Sequence, residues 1–162
     1  MHLREELRIT KPFEPGQEVA LALLLGREYL TRLFDKGLFE PAEISDQQFN
    51  VLRILRGGPK EGYLVKDLRS RMIFRFADVP RLVNRLEARG LAKRCENPED
   101  RRGSRVQITA KGQALEAKLR ARHQALSSRV DRCLSAAERD QLLALLERLR
   151  DDHRAQLADL EP

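Results

Sequence analysis

The fold is decided by the segment Leu82–Gly112, which reads LVNRLEARGLAKRCENPEDRRGSRVQITAKG. Its first residues carry an apolar stripe at helical spacing, and the stripe stops at Gly90. Two short runs with alternating apolar residues follow, LAKRC and RVQIT, joined by the polar segment 96–104. The pattern predicts a helix followed by a two-stranded hairpin with a long polar tip, after which a new helix opens at Thr109.

The residues before this segment predict two further helices joined by a tight turn. Val65–Met72 has apolar residues on one helical face, and Ile73–Arg75 forms the turn. Proline is tolerated only in the first turn of a helix, so Pro80 places the start of the next helix near Asp78, its expected cap. Two helices and a hairpin in this order predict a winged helix-turn-helix. The fold class is therefore mainly α with a small β-hairpin wing (α+β).

Helices are also predicted at both ends of the chain, outside the winged helix-turn-helix. The helical stripe in 17–39, which Gly37 and Pro41 should end, is wide enough to suggest contact on more than one side. Two long leucine-rich helices are predicted after Thr109, the first reaching about Cys133. Such stripes exceed what the neighbouring chain can bury, so a helical dimerisation region from both chain ends is expected. The predicted segments are an N-terminal arm 1–16, a dimerisation helix 17–42, the winged helix-turn-helix 43–112 and C-terminal dimerisation helices 113–162.

Two helix starts carry a specific local signal. Ser45 and Gln48 have the spacing of a capping box, in which each side chain bonds the other residue's backbone N–H. Ser135 and Glu138 repeat the pattern. We therefore expect helices to begin directly after Ser45 and Ser135.

Positive charge is concentrated in the predicted winged helix-turn-helix. The net charge is +6, yet Leu64–Gly112 alone contains 13 Lys or Arg against 6 Asp or Glu, and the remainder contains 18 against 19. This asymmetry favours a polyanionic partner, because each neutralised phosphate releases condensed counterions. The alternative is that Arg merely serves as the solvating residue. A basic hairpin beside a basic helix indicates binding to double-stranded DNA.

The cysteines and the remaining composition exclude several classes. Cys95 and Cys133 form no CxxC pattern and no Cys/His cluster, which favours a reducing compartment and argues against a disulfide scaffold or a zinc site. Both are expected to act as small hydrophobic residues. The apolar run Val19–Leu25 is too short to span a membrane, and the N-terminus lacks the order of a secretory signal. A cytoplasmic protein is expected, with no metal and no cofactor.

The predicted helix that starts near Asp78 is the second of the helix-turn-helix and therefore the recognition helix. It offers the first candidate DNA contacts. Arginine pairs with guanine and asparagine with adenine in the major groove, and an apolar ring can contact a thymine methyl. For each of these residues the alternative is a solvated helix face, or packing under the turn for the phenylalanine. The candidates on or near the exposed face are Arg75, Phe76, Arg81, Asn84 and Arg85.

The segment Asn97–Gly103, followed by VQIT and Lys111-Gly112, resembles the MarR-type regulators (multiple antibiotic resistance regulators). The wing motif of that family is D-x-R, then a short strand ending in L-T and a glycine three residues later. The residues in those places are Asp100, Arg102, Ile108, Thr109 and Gly112. The upstream segments QFNVLRILR and RLVNRLEARGL also resemble the second helix and the recognition helix of that family, so the resemblance covers roughly residues 17–157.

The resemblance implies a homodimeric transcription repressor on a pseudo-palindromic site, often released by a small aromatic or anionic ligand. It makes Arg102 the arginine that enters the minor groove, where negative potential is concentrated. Asp100 would orient an arginine or cap the turn. Arg101 and Arg105 would add phosphate contacts, with Lys93 and Arg94 as weaker candidates.

Alternatives to a ligand-controlled DNA-binding protein remain. No Ser/His/Asp order, phosphate loop or paired-carboxylate motif stands out, so an enzyme is not expected. A winged helix could instead be a protein-interaction module, or a constitutive regulator without a ligand. A ligand would lie between the dimer helices and the winged helix-turn-helix, but the sequence does not indicate which residues would line the site. His123 and His153 are expected to pack rather than to bind zinc.

Overall fold

The computed structural model describes residues 3–74, 76–96 and 104–160. The chain divides into two compact units, Met1–His123 and Gln124–Pro162. None of the helices in the described ranges is long and apolar enough to cross a membrane. The predicted fold class is confirmed, because the described chain is mostly helical with one small antiparallel sheet. Its helices are α1 (Leu3–Glu6), α2 (Pro15–Phe34), α3 (Asp46–Arg56), α4 (Val65–Arg71), α5 (Val79–Ala88), α6 (Ala110–Ser127), α7 (Val130–Cys133) and α8 (Ala136–Leu160), and its strands are β1 (Tyr63–Leu64), β2 (Ala92–Glu96) and β3 (Ser104–Ile108).

The first long helix, predicted to run to about Phe39, changes type before it reaches that residue. α2 stops at Phe34, but the chain continues as a π-helix over Asp35–Phe39 and a 3-10 helix over Glu40–Ala42. The π-helical segment therefore runs through Gly37, and its last two residues, Leu38 and Phe39, are buried in the core. Proline is accommodated in the first turn of the 3-10 helix, where its missing N–H has no helical partner to lose.

The predicted capping box at the start of α3 is confirmed. The Gln48 N–H donates to Ser45 Oγ at 3.2 Å, and the Ser45 N–H donates to Gln48 Oε1 at 2.9 Å. These two bonds satisfy donors that a helix start otherwise leaves without a partner. They fix the entry to α3, whose buried side chains Phe49, Leu52 and Leu55 contribute to the core of the first unit.

The sheet contains the predicted two-stranded hairpin and a third short strand, β1. Its order is β1-β3-β2, with both pairings antiparallel, so β3 is central. Tyr63 lies opposite Val106. Gly62 immediately precedes β1 with a φ of +81°, and a Cβ there would lie 2.2 Å from the Val106 carbonyl oxygen. A glycine is therefore required where β1 joins the sheet.

The recognition helix begins as predicted. Asp78 is the N-cap of α5, and its Oδ1 accepts a bond of 3.2 Å from the Arg81 N–H. Pro80 occupies the first turn, where it costs no helical hydrogen bond. At the other end the chain leaves the helix through Gly90, which has a φ of +66°.

The predicted single helix to Cys133 is wrong. α6 ends at Ser127, and the short helix α7 follows after a break. In the break, Ser128 Oγ donates to the Ala125 carbonyl oxygen at 3.0 Å, a local bond that competes with the helical ladder. In the second unit the predicted capping box before α8 is confirmed, since Glu138 Oε2 accepts from the Ser135 N–H at 2.8 Å.

Candidate DNA interface and neighbouring cavity

Helix α5 has one apolar buried face and one polar exposed face. The side chains that α5 buries are Val79, Leu82, Val83 and Leu86. A period of 3.6 residues then places Arg81, Asn84 and Arg85 together on the opposite side, where all three are exposed. The exposed face therefore combines two guanidinium groups with one amide, the chemistry that reads base edges and phosphates.

The turn before α5 also leaves apolar surface exposed. Phe76 is 85% exposed, so it does not pack under the turn. Ile73, in the same turn, is 68% exposed. The turn is held by Ala77, which is buried and whose N–H donates to the Phe74 carbonyl oxygen at 3.1 Å. The Phe76 ring is therefore exposed in the turn that leads into α5, while Arg75 lies outside the described residues.

A network that the sequence did not predict joins α5 to the wing strand β2. Glu87 on α5 forms an ion pair with the Arg94 guanidinium, and its Oε1 accepts from the Arg94 N–H at 2.7 Å. The same guanidinium donates through Nη2 to Asn84 Oδ1 at 2.6 Å. No periodicity links these residues, because they meet only after the chain has reversed at Gly90. Arg94, a weaker candidate for DNA contact in the sequence, thus lies against the exposed polar face of α5.

The wing is described only at its base. Arg105 on β3 is half-buried and donates to the Gly62 carbonyl oxygen at 3.3 Å, a contact that ties β3 to the chain just before β1. Its phosphate contact stays a prediction. The tip residues Asp100, Arg101 and Arg102 lie outside the described residues.

The cysteines and histidines show no metal-binding arrangement within the described ranges. There, no three His, Cys, Asp or Glu side chains are close enough together to hold a metal ion. Cys95 Sγ donates to Gln107 Oε1 at 3.2 Å across the β2–β3 pair. Cys133 is exposed, and both thiols are free.

A cavity of about 370 Å³ lies in the first unit beside the helix-turn-helix. Its walls come from α2, the π-helix, α3, the turn between α4 and α5, and α6. They combine aromatic rings with four charged side chains and an imidazole. The lining residues are Arg27, Leu30, Thr31, Phe34, Asp35, Phe39, Asp46, Phe49, Asn50, Arg53, Ile73, Phe74 and His123.

His123 is packed among the aromatic rings of this cavity. Its ring centroid lies 4.7 Å from that of Phe34 and 5.9 Å from that of Phe49. Burial, followed by the positive charge of Arg53, lowers the pKa of His123 below its ordinary value of 6.5. The imidazole is therefore held mainly neutral at pH 7. The packing role expected from the sequence is what the ring contacts show.

The cavity wall carries charged groups of both signs. Arg27 and Arg53 bring positive charge, whereas Asp35 and Asp46 bring negative charge. Burial raises the pKa of Asp46, although a hydrogen bond of 2.6 Å from the Gln47 N–H acts in the opposite direction. A ligand with an anionic group and an apolar body would find partners for both parts here.

One hydrogen bond links the cavity wall to the chain that enters the recognition helix. Asn50 on α3 is only 7% exposed, and its Oδ1 accepts from the Ile73 N–H at 3.0 Å. The short backbone segment Ile73–Phe74 belongs both to the cavity wall and to the turn that leads into α5.

Comparison with known proteins is consistent with this architecture. Residues 43–103 match the model of the MarR family. A search of curated proteins gave no significant match. Among solved structures, the PcaV transcriptional regulator of Streptomyces coelicolor, in complex with its natural ligand, is similar at 20% identity and a TM-score of 0.72, over 88% of this chain and 98% of that one.

Two further solved structures share the fold. Bordetella bronchiseptica BpsR, whose DNA binding is regulated by 6-hydroxynicotinic acid, is 24% identical with a TM-score of 0.74, over 87% of this chain and 99% of that one. The apo form of Escherichia coli MarR is 23% identical with a TM-score of 0.63, over 86% and 98% respectively. Residues 43–103 are thus similar to the MarR family, and the chain has the winged helix-turn-helix fold of these solved structures.

Proposed function

We propose that this protein is a sequence-specific double-stranded DNA-binding transcription regulator, a homodimeric repressor released by a small aromatic, anionic effector. The observation that carries the proposal is the two-sided nature of α5. Its apolar face is buried, while Arg81, Asn84 and Arg85 are exposed, and so is Phe76 in the preceding turn. Because its proposed partner is DNA, we assign the protein to the cytoplasm.

Two copies of α5, related by a twofold axis, would enter successive major grooves about 34 Å apart. Side chains on α5 would read base edges there, and the wings would reach the flanking minor grooves with Arg102. The concentration of positive charge in Leu64–Gly112 supports this arrangement, since phosphate neutralisation supplies most of the sequence-independent affinity.

Exposed apolar faces on α2 and α8 support the homodimer. In a single chain α2 exposes Val19, Leu23, Leu24, Leu30 and Leu33. In the second unit α8 exposes Leu142, Leu143, Leu145, Leu146, Leu157 and Leu160. Exposed leucines in such number on a helix are a feature of interaction sites, and a second copy would cover them. Analytical ultracentrifugation at micromolar concentration tests this step, and a monomer would contradict it.

The cavity beside the helix-turn-helix supports a small effector. Its volume of about 370 Å³ suits a ligand with a single aromatic ring. The ring would stack among Phe34, Phe49 and His123, and its anionic group would pair with Arg53 or Arg27. Two regulators of the same fold, PcaV with its natural ligand and BpsR with 6-hydroxynicotinic acid, suggest aromatic acids as the first compounds to examine.

The Asn50–Ile73 hydrogen bond provides a route from the cavity to the DNA. A ligand that displaces the turn, or competes for Asn50 Oδ1, changes the position from which α5 begins. An effector lowers DNA affinity only if it binds the DNA-free arrangement more tightly than the DNA-bound one. We propose that the cavity is larger or better shaped in the DNA-free arrangement, so that occupancy opposes DNA binding.

The decisive experiment selects bound duplexes from a random pool and then measures affinity by fluorescence anisotropy at several salt concentrations. A DNA-binding regulator gives an enriched pseudo-palindrome and a steep fall of log affinity with log salt. A protein-interaction module gives neither. Aromatic acids such as benzoate, salicylate and 6-hydroxynicotinate are then titrated into the complex. Release by at least one of them supports an effector, and transcription in vitro from a promoter containing the selected site tests repression.

A further inference from the structure

We propose that Arg94 determines the base preference of Asn84, so that Asn84 selects a guanine–cytosine pair instead of the adenine that asparagine otherwise favours. This inference rests on the proposed DNA-binding function and specifies how one position of the operator is read. It starts from the side-chain network between α5 and β2, which joins Asn84 to Glu87 and Arg94.

The network holds the Asn84 amide in one orientation. Arg94 Nη2 lies 2.6 Å from Asn84 Oδ1. A guanidinium group has only donors, so the amide atom facing it must be the oxygen. The amide nitrogen, with its two hydrogens, therefore points away from Arg94. The orientation of an asparagine side chain, often free to flip, is here set by its neighbour.

The guanidinium is itself held on a second side. Glu87 pairs with Arg94 Nη1, and the same carboxylate accepts from the Arg94 backbone N–H at 2.7 Å. The Arg94 and Glu87 side chains are 34% and 25% exposed, so both are partly shielded from water. A planar fork bound at two ends keeps its geometry better than a single flexible contact. Asn84 is thus oriented by a supported group.

This orientation changes what the amide can read. Bidentate recognition of adenine needs the asparagine oxygen to accept from N6 while the amide nitrogen donates to N7. Here the oxygen already accepts a charge-assisted bond, and a cation beside it repels a further amino donor. The two remaining N–H groups suit the paired acceptors N7 and O6 of guanine. Asn84 therefore acts at the DNA surface as a donor.

The experiment compares operators selected from a random pool by the full-length protein and by three variants. Asn84→Ala identifies the base pair that Asn84 reads, as the position whose preference disappears. Arg94→Ala and Arg94→Lys both remove the fork that can hold Glu87 and Asn84 together, and the lysine variant keeps the charge. Lys93→Ala is the matched control, because it removes one exposed positive charge from the same strand. Thermal unfolding followed by circular dichroism verifies that every variant is folded.

We expect the wild type to prefer guanine–cytosine over adenine–thymine about tenfold at the Asn84 position, the discrimination of one good base contact. In both Arg94 variants the ratio of the affinity for guanine–cytosine to that for adenine–thymine should fall to about one or below one. Lys93→Ala should lower affinity for all duplexes alike and keep the preference. This ratio is obtained from the measured affinities for two duplexes that differ only at this base pair.

Any of three results would overturn the inference. The first is a wild-type preference for adenine at the Asn84 position, and the second is an operator selected by Asn84→Ala that equals the wild-type operator. A guanine preference that survives both Arg94 substitutions would also overturn it, since the preference would then not depend on the fork. Failure of the proposed function looks different, because the wild-type protein would then enrich no duplex at all.

Discussion

Replacement of Asn50 by alanine tests whether the cavity communicates with the recognition helix. Asn50 is buried on α3, and its Oδ1 accepts the Ile73 N–H at 3.0 Å. Alanine removes this acceptor and the part of the cavity wall that the amide supplies. The turn before α5 then loses the one hydrogen bond that the structure gives it from Asn50.

The size of the effect follows from the kind of bond that is lost. A hydrogen bond between neutral groups contributes about 1 kcal/mol, and a donor left without a partner raises the cost to roughly 1–3 kcal/mol. We therefore expect Asn50→Ala to lower the free energy of unfolding by about 1–3 kcal/mol. Allosteric coupling between two ligands is commonly about 5- to 150-fold in affinity. If the bond carries that coupling, a saturating effector should change the DNA affinity of the variant by less than about threefold.

The assay measures both quantities on the same preparation. Urea unfolding gives the free energy, and fluorescence anisotropy gives DNA affinity with and without an aromatic acid. Asn50→Asp is the matched control, since its carboxylate still accepts from Ile73 but adds negative charge to the cavity. The aspartate variant should need more effector and yet release DNA fully when saturated. The alanine variant should bind the effector, as measured by calorimetry, and keep its DNA.

The reasoning is refuted if Asn50→Ala, folded and saturated with effector, releases DNA by the same factor as the wild type. The coupling between cavity and DNA would then not pass through the Asn50–Ile73 hydrogen bond.

Three further predictions address the wing, the cavity and the helix start. Arg102→Ala should weaken DNA binding and lower the slope of log affinity against log salt by about 1; unchanged affinity with an unchanged slope would remove Arg102 from the interface. The lowered pKa of His123 means that the folded protein binds a proton less readily than the unfolded chain, so stability falls as the pH drops below about 6.5. An anionic effector favours the imidazolium, so its affinity should rise over the same pH range. His123→Gln should flatten that dependence in calorimetry, and an unaltered pH profile would exclude His123 from the site. Ser45→Ala removes the acceptor of one of the two capping bonds of α3 and should cost about 1 kcal/mol in urea unfolding, whereas no loss would mean that water replaces the cap.

Much of the fold was predictable because its signals are local. The capping boxes at Ser45 and Ser135 and the cap at Asp78 depend on residues three positions apart, and all three are present. The apolar stripe of α5 likewise follows from helical periodicity alone. Local signals did not predict the change from α-helix to π-helix at Asp35, which accompanies burial of Leu38 and Phe39.

The candidate site divides in the same way. Exposure of Arg81, Asn84 and Arg85 could be predicted, because a helix that buries one face must present the other to solvent. The bond that Asn84 makes with Arg94 could not, because ten residues and a chain reversal separate the two. The cavity was expected only in general terms, since its wall combines residues from Arg27 to His123.

The sequence by itself determined the class of this protein: the order of helices and strands, the concentration of positive charge and the wing motif that resembles MarR-type regulators. Periodicity, capping and charge are properties of neighbouring residues, and they survive without knowledge of the fold. Only the tertiary structure decided which polar atoms remain available, because hydrogen bonds and burial depend on distances between residues far apart in the chain. Thus a sequence can indicate that Asn84 lies on the exposed face of α5, while the position of the Arg94 guanidinium decides which atom of its amide is already hydrogen-bonded.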